Sequence, residues 1–240
     1  MTVAAIVPAA GRGERLGPGQ PKALRMLGGV PMLVHAVTAL SRARLVDLVV
    51  VAAPPDGVVE VEALLALHDI GADLLVVAGG EHRQDSVARA LEALPPEVDV
   101  VLVHDAARPL APSELVDAVA GAVLAGHSAV VPGLAMTDTV KRVAPQRRGG
   151  DDPHPEQVVE TVERHDLRCI QTPQGFDRAV LVKAHAAADG LATDDAGLVE
   201  RLGLPVVVVA GSAEAFKITR PIDLLLAEAV LLERRANGEF

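Results

Sequence analysis

Six short aliphatic runs, at residues 3–7, 48–51, 74–77, 100–103, 129–131 and 206–209, recur along the chain with longer stretches of helical period between them. The runs are apolar at consecutive positions rather than alternate ones, which predicts strands buried on both faces. Residues 32–43, 58–68, 86–94 and 113–124 place apolar side chains near a 3.6-residue period with polar ones opposite, and helices near 178–188 and 222–235 close the chain. Strand alternating with helix predicts an α/β fold. It is expected as one layered domain with a mostly parallel sheet, helices on both faces and right-handed crossovers.

One stretch breaks the alternation. Residues 139–143 and 158–162 read as short strands on either side of a polar segment, 145–155, which suggests a projecting hairpin. A two-stranded ribbon is marginally stable alone in water, so it calls for something to pack against, and a second copy of the chain is the simplest candidate. A surface loop is the plainer alternative, and the pattern alone leaves both open.

Composition narrows the class. The chain has 240 residues, of which 50% are hydrophobic and 22% charged, with mean hydropathy +0.33, so it is no disordered tail. The aromatic residues are Phe176, Phe216 and Phe240, too few to stack nucleic-acid bases, and a net charge of −10 opposes binding to a phosphate backbone. Cys169 stands alone, which excludes an intrachain disulfide or a cysteine-based zinc cluster and fits a reducing compartment. Neither a basic leader nor an apolar run of 18 residues is present, so a soluble cytoplasmic protein is expected.

Candidate chemistry sits where strands end. Pro8-Ala9-Ala10-Gly11-Arg12-Gly13-Glu14-Arg15-Leu16-Gly17 follows the first strand and leads to Pro21-Lys22. Small residues there let backbone N–H groups approach phosphate oxygens, which points to a nucleotide. The G-x-G-x-x-x-G spacing and late helix do not fit a dinucleotide fold, and no Gly-Lys-Ser/Thr triplet marks a P-loop. Lysine is scarce: only Lys22, Lys141, Lys183 and Lys217 occur, against 18 arginines. Lys22 and Lys217 lie in non-helical contexts where a compact point charge has a use, whereas Lys183 reads as surface.

After the fourth strand, His104-Asp105-Ala106-Ala107-Arg108-Pro109 sets an acid near an arginine. Such a pair can bind hydroxyls or Mg²⁺ and a phosphate, or can form only a structural turn. Gly79-Gly80-Glu81-His82-Arg83-Gln84-Asp85-Ser86 offers close backbone approach and a helix cap. No H-E-x-x-H and no G-x-S-x-G occurs, which argues against zinc or serine hydrolysis.

Together these loops resemble the 2-C-methyl-D-erythritol 4-phosphate cytidylyltransferase family. The likeness spans nearly the whole chain. It also rests on Asp138-Thr139-Val140-Lys141, Thr172-Pro173-Gln174, Thr193-Asp194 and Lys217-Ile218-Thr219-Arg220-Pro221. The resemblance implies a single Rossmann-like nucleotidyltransferase domain over residues 1–240, with residues 137–165 as a projecting β-arm that dimerises.

It further implies attack by methylerythritol phosphate on the α-phosphorus of CTP, with Mg²⁺ assisting and pyrophosphate leaving. Arg15 and Lys22 match the family's transition-state stabilisers, and Arg164 and Lys217 its phosphate-aligning cations. CTP contacts correspond to Pro8, Ala9, Ala10, Gly11, Gly80, Glu81, Ser86 and Ala106. Polyol-phosphate contacts correspond to Asp105, Arg108, Thr139, Thr172 and Thr193, with Asp105 also a weak metal candidate. The family implies a homodimer whose arms carry Thr139 and Arg164 into the neighbour's site. The chain departs from the pattern in its long polar arm tip and in Arg168-Cys169, where an aromatic often precedes Thr-Pro-Gln. Its end at Phe240 is read as leaving no room for a fused cyclodiphosphate synthase domain. The competing readings are a ribitol 5-phosphate cytidylyltransferase and a nucleotide-binding module without catalysis.

Overall fold

A computed structural model describes residues 1–11, 21–144 and 155–238. Its centre is a sheet ordered β10 (Arg168–Ile170), β7 (Ala129–Ala135), β11 (Gln174–Asp177), β6 (Val98–Val103), β1 (Thr2–Pro8), β4 (Leu48–Ala53) and β5 (Asp73–Ala78), with β12 (Val207–Ala210) on β7. The parallel strands are β1 (Thr2–Pro8), β4 (Leu48–Ala53), β5 (Asp73–Ala78) and β6 (Val98–Val103), while β12 (Val207–Ala210) runs parallel to β7 (Ala129–Ala135). In β1, Val3, Ala5 and Val7 enter one hydrophobic cluster while Ala4 and Ile6 enter another. That split explains the unbroken apolar run, because the strand has no solvent face.

Helices α1 (Met32–Ser41), α2 (Val58–Ala66) and α4 (Ser113–Leu124) bury their apolar stripes in the first cluster. The second cluster is closed by α3 (Arg83–Glu92), α5 (Arg178–Ala186) and α6 (Asp195–Arg201). The last helix, α7 (Pro221–Ala236), lies on a smaller cluster with Leu27, Met32, Leu110 and Ile218.

The expected strands and helices are present with shifted ends. The α2 period reaches 68 in the sequence, but Leu67 and His68 donate to carbonyls three residues back, so the regular helix closes at Ala66. α3 begins at Arg83 rather than 86 because Asp85 accepts the His82 N–H and caps the first turn.

Elements beyond the apolar runs complete the sheet. β10 (Arg168–Ile170) and β11 (Gln174–Asp177) run antiparallel along one edge of β7, and β11 also pairs with β6. β11 holds a Gln and a Gly, so no apolar run announces it. α6 likewise escapes the periodicity reading, its seven residues being too few to show a period. A small hairpin, β2 (Met26–Leu27) with β3 (Val30–Pro31), precedes α1.

The expected pair of strands forms as β8 (Val140–Val143) against β9 (Val158–Val162), antiparallel and in a sheet of its own. Val158 and Val159 are 52% and 60% exposed. Of the expected polar tip, 145–155, residues 145–154 lie outside the described residues.

β11 is wedged so tightly that Gly175 has no space for a side chain. A Cβ there would lie 2.7 Å from Val119 and 2.9 Å from Val123 on α4. Gly175→Ala is therefore expected to destabilise the fold by about 1–3 kcal/mol. The measurement is a Tm several degrees lower in calorimetry, and an unchanged Tm would show that α4 yields without strain.

Candidate active site

The carboxyl ends of β1, β4, β5 and β6 point the same way, and their backbone ladders run on into the loops. Ala9 donates to Ala52 O at 2.8 Å, Gly79 to Ala53 O at 2.7 Å, and His104 to Ile6 O at 2.9 Å. These bonds set three candidate loops side by side, where open α/β sheets bind ligands. Close packing then demands glycine at 79 and 80. A Cβ on Gly79 would fall 2.8 Å from Ala10 Cβ, and one on Gly80 would fall 2.3 Å from Asp85 Cβ. The Ser86 hydroxyl accepts the Gly80 N–H at 3.0 Å and donates to His82 O at 3.1 Å, so it braces this turn.

Two adjoining clefts of about 200 Å³ each result. The first is lined by Pro8, Ala9, Ala10, Gly11, Lys22, Gly80, Glu81, Ser86 and Ala106, which are the expected CTP residues together with Lys22. The second is lined by Arg108, Gln171, Thr172, Gln174, Thr193 and Asp194. Arg83, Asp105 and Lys217 line both and form their shared wall.

Thr139 and Arg164 line neither cleft. Both are exposed on or beside the hairpin, where the Arg164 guanidinium donates to the Thr137 carbonyl. Arg15 lies outside the described residues.

The wall is an ion-pair chain. Lys217 Nζ meets Asp105 Oδ2 at 2.7 Å, and Arg83 Nε meets Asp105 Oδ1 at 3.0 Å. Lys217 is delivered there because the next residue, Ile218, donates its N–H to Ala107 O at 2.8 Å. Burial alone would raise the Asp105 carboxyl, but the charges of Arg83 and Lys217 hold it well below the usual carboxylate range. Asp105 is thus ionised and fixed, with both oxygens engaged by cations. Among the described residues no three His, Cys, Asp or Glu side chains converge, so they do not fit a protein-held Mg²⁺.

Arg108 is 9% exposed, and burial lowers its pKa, with the Asp105 charge opposing that effect. Its Nη1 donates to Ala215 O at 2.6 Å and Nη2 to Ile170 O at 3.3 Å, while Nε is buried without a partner. A buried cation held by carbonyls in the lining of the second cleft is suited to an anionic ligand.

The backbone of this loop is pinned from below. Asp105 N–H donates to Thr172 Oγ1 at 3.0 Å, and that hydroxyl in turn faces His104 Nδ1 at 3.2 Å. His104 Nε2 lies 3.1 Å from Arg108 O, an acceptor, so Nε2 carries the proton and Nδ1 accepts from Thr172. Arg83 belongs to a sequence motif that gives it no role of its own. Its place is visible only once residues 83, 105, 195 and 217 meet.

Comparison with known proteins agrees with these loops. Residues 3–233 match the family model described as 2-C-methyl-D-erythritol 4-phosphate cytidylyltransferase. A Streptomyces coelicolor protein of that name is 60% identical over 239 residues, covering 99% of this chain and 87% of the relative. One from Rhodococcus jostii is 48% identical over 231 residues, covering 96% of each. The crystal structure of the Thermus thermophilus enzyme of that name superposes with TM-score 0.74 at 39% identity, covering 96% of this chain and 98% of that one.

Burial pushes His104 down to about 4 from 6.5, so the unfolded chain binds more protons than the folded one between these values. Stability contributed by neutral His104 is complete above pH 6.5 and is lost as pH falls toward 4, by up to about 3 kcal/mol. Urea titrations from pH 7 to 4 are expected to show this slope in the parent and to lose it in His104→Gln. Identical slopes in the two proteins would refute the burial argument.

Proposed function

The chain belongs to the 2-C-methyl-D-erythritol 4-phosphate cytidylyltransferase family, and from that premise we propose how its own residues divide the reaction. It transfers CMP from CTP to 2-C-methyl-D-erythritol 4-phosphate, giving 4-diphosphocytidyl-2-C-methyl-D-erythritol and pyrophosphate in the non-mevalonate route to isoprenoids. The observation that carries the assignment of roles is the pair of clefts sharing the wall of Arg83, Asp105 and Lys217.

CTP takes the first cleft, with Pro8, Ala9, Ala10 and Gly11 against the nucleotide and Gly80, Glu81, Ser86 and Ala106 facing the cytidine. The polyol phosphate takes the second, its hydroxyls on Asp105 and Thr193 and its phosphate toward Arg108 and Lys217. Thr172 serves that cleft partly by holding the Asp105 backbone.

A phosphate oxygen of the polyol then attacks the α-phosphorus in line. The new P–O bond forms as the bond to the β-phosphate bridging oxygen breaks, and pyrophosphate carries that electron pair away. The nucleophile is already an anion, so no proton has to be removed from it. What the reaction needs is two anions held together and developing charge neutralised, which fixed cations supply. Lys22 and Arg15 are assigned to the triphosphate and Lys217 to the nucleophile. Mg²⁺, when bound, would rely on waters and substrate phosphates more than on side chains of this chain, and would supply further neutralisation of the triphosphate charge.

The arm, residues 137–165, is assigned to a homodimer in which Thr139 and Arg164 complete the neighbour's second cleft. Support comes from its exposed valines and from the absence of both residues from the clefts of their own chain. No helix among the described residues is long and apolar enough to cross a membrane, which is compatible with the expected cytoplasmic setting.

Pyrophosphate release is expected with CTP and methylerythritol phosphate and to be far slower with ribitol 5-phosphate; the opposite preference would overturn the substrate assignment, and CTP binding without turnover would favour a module. Lys22→Ala is expected to lower kcat by roughly 10²-fold while the fold survives, and unchanged turnover would remove its role. Mixing Lys22→Ala with Arg164→Ala chains is expected to restore part of the activity through hybrid sites. No recovery on mixing would sink the composite site.

A further inference from the structure

Arg83 is gripped on two sides, and only one of them faces a cleft. Its Nε binds Asp105, while Nη1 lies 2.6 Å from Oδ2 of Asp195. Asp195 is 1% exposed, opens α6 and lines neither cleft. Its second oxygen takes a further partner, His185 Nε2 at 2.9 Å, from α5. The histidine ring is also almost wholly buried, and it too is absent from both clefts. The ionised carboxylate accepts hydrogen bonds only, so His185 Nε2 carries a proton toward it. Burial alone would raise the Asp195 carboxyl, and the His185 hydrogen bond with the Arg83 charge brings it below its ordinary value.

This arrangement is a poor way merely to fasten α5 to α6. Desolvating a carboxylate and a guanidinium offsets much of their attraction, and apolar residues of similar volume would join the helices at least as well. What the pair does supply is orientation. The guanidinium is a rigid planar fork, and two carboxylates on different edges leave it one setting. With Asp195 removed, Arg83 would keep only its bond to Asp105 and could turn with it toward solvent.

We infer that Asp195 and His185 are positioning residues for the transfer, fixing Arg83 so that the Asp105 carboxylate is held where the polyol hydroxyls reach it. They touch neither substrate and act through Arg83. The inference rests on the reading of the second cleft given under Proposed function.

The test is steady-state kinetics of full-length Asp195→Asn, His185→Leu and His185→Gln beside the unaltered chain, following pyrophosphate release while each substrate is varied. Asp195→Asn is expected to raise KM for methylerythritol phosphate by roughly tenfold or more, with KM for CTP within about twofold of the parent. His185→Leu should move the same constant in the same direction. His185→Gln, whose amide can still donate to Asp195, should restore most of it.

A merely structural role would lower Tm and the active fraction and leave both KM values alone. That result overturns the inference, as does an equal rise in both constants. Should Asp195→Asn fail to fold, the contrast between His185→Leu and His185→Gln decides in its place. No turnover by the unaltered chain sinks the functional reading together with the inference, whereas parental turnover with unaltered KM in the variants sinks the inference alone.

Discussion

A carboxylate clamped between two cations organises everything around it. Asp105 is drawn out of water between Lys217 and Arg83, and alone in that position it would be protonated or expelled. The clamp joins chain segments 22 and 112 residues away, and the Ile218 bond to Ala107 fixes the same junction through the backbone. Removing either cation would leave the buried carboxylate with one partner in place of two, which costs stability. The two clefts share a wall because this cluster is one rigid object.

The clamp also divides the cations by task. Arg83 spends its fork on two carboxylates and has little charge left for phosphate, whereas the hydrogen bonds of Arg108 go to backbone carbonyls and leave it a donor unmet. Lys217 is a compact charge held against Asp105 at the shared wall, and Lys22 presents a second compact charge to the first cleft. Over the whole chain the net charge is −10, yet at the clefts the cations Lys22, Arg83, Arg108 and Lys217 outnumber the acids Glu81, Asp105 and Asp194. With screening over about 8 Å at physiological salt, an anionic substrate in the clefts feels these groups rather than the distant acidic surface.

How far this could be read beforehand followed from the range of each interaction. The parallel strands and α4 were legible because two-sided burial and a 3.6-residue stripe are local properties of the chain. The loops after β1, β5 and β6 were legible because strand ends favour small residues, and in the structure the three line one cleft. β11 was not, since its Gln174 is buried for hydrogen bonds to Asp194 and Ala196 rather than for hydrophobicity. The link from Arg83 to Asp195 and on to His185 was equally hidden: residue 195 is 112 positions from 83, and neither type nor spacing marks the pair. Thr139 and Arg164 entered only through resemblance, and among the described residues they line neither of the two clefts.

The roles of the buried histidines follow from the same economy of hydrogen bonds. His104 uses both ring nitrogens on Arg108 O and Thr172 and is neutral, while His185 commits Nε2 to Asp195. Neither is placed to take a proton from a substrate. A reaction whose nucleophile is a phosphate oxygen does not ask it of them, because the attacking atom arrives charged. An acceptor hydroxyl would instead require a base at the junction of the two clefts, where the shared wall offers a strongly acidic carboxylate already held by two cations. The clefts are therefore matched to bringing two phosphates together and holding them, and the work of the protein lies in keeping its own charges still.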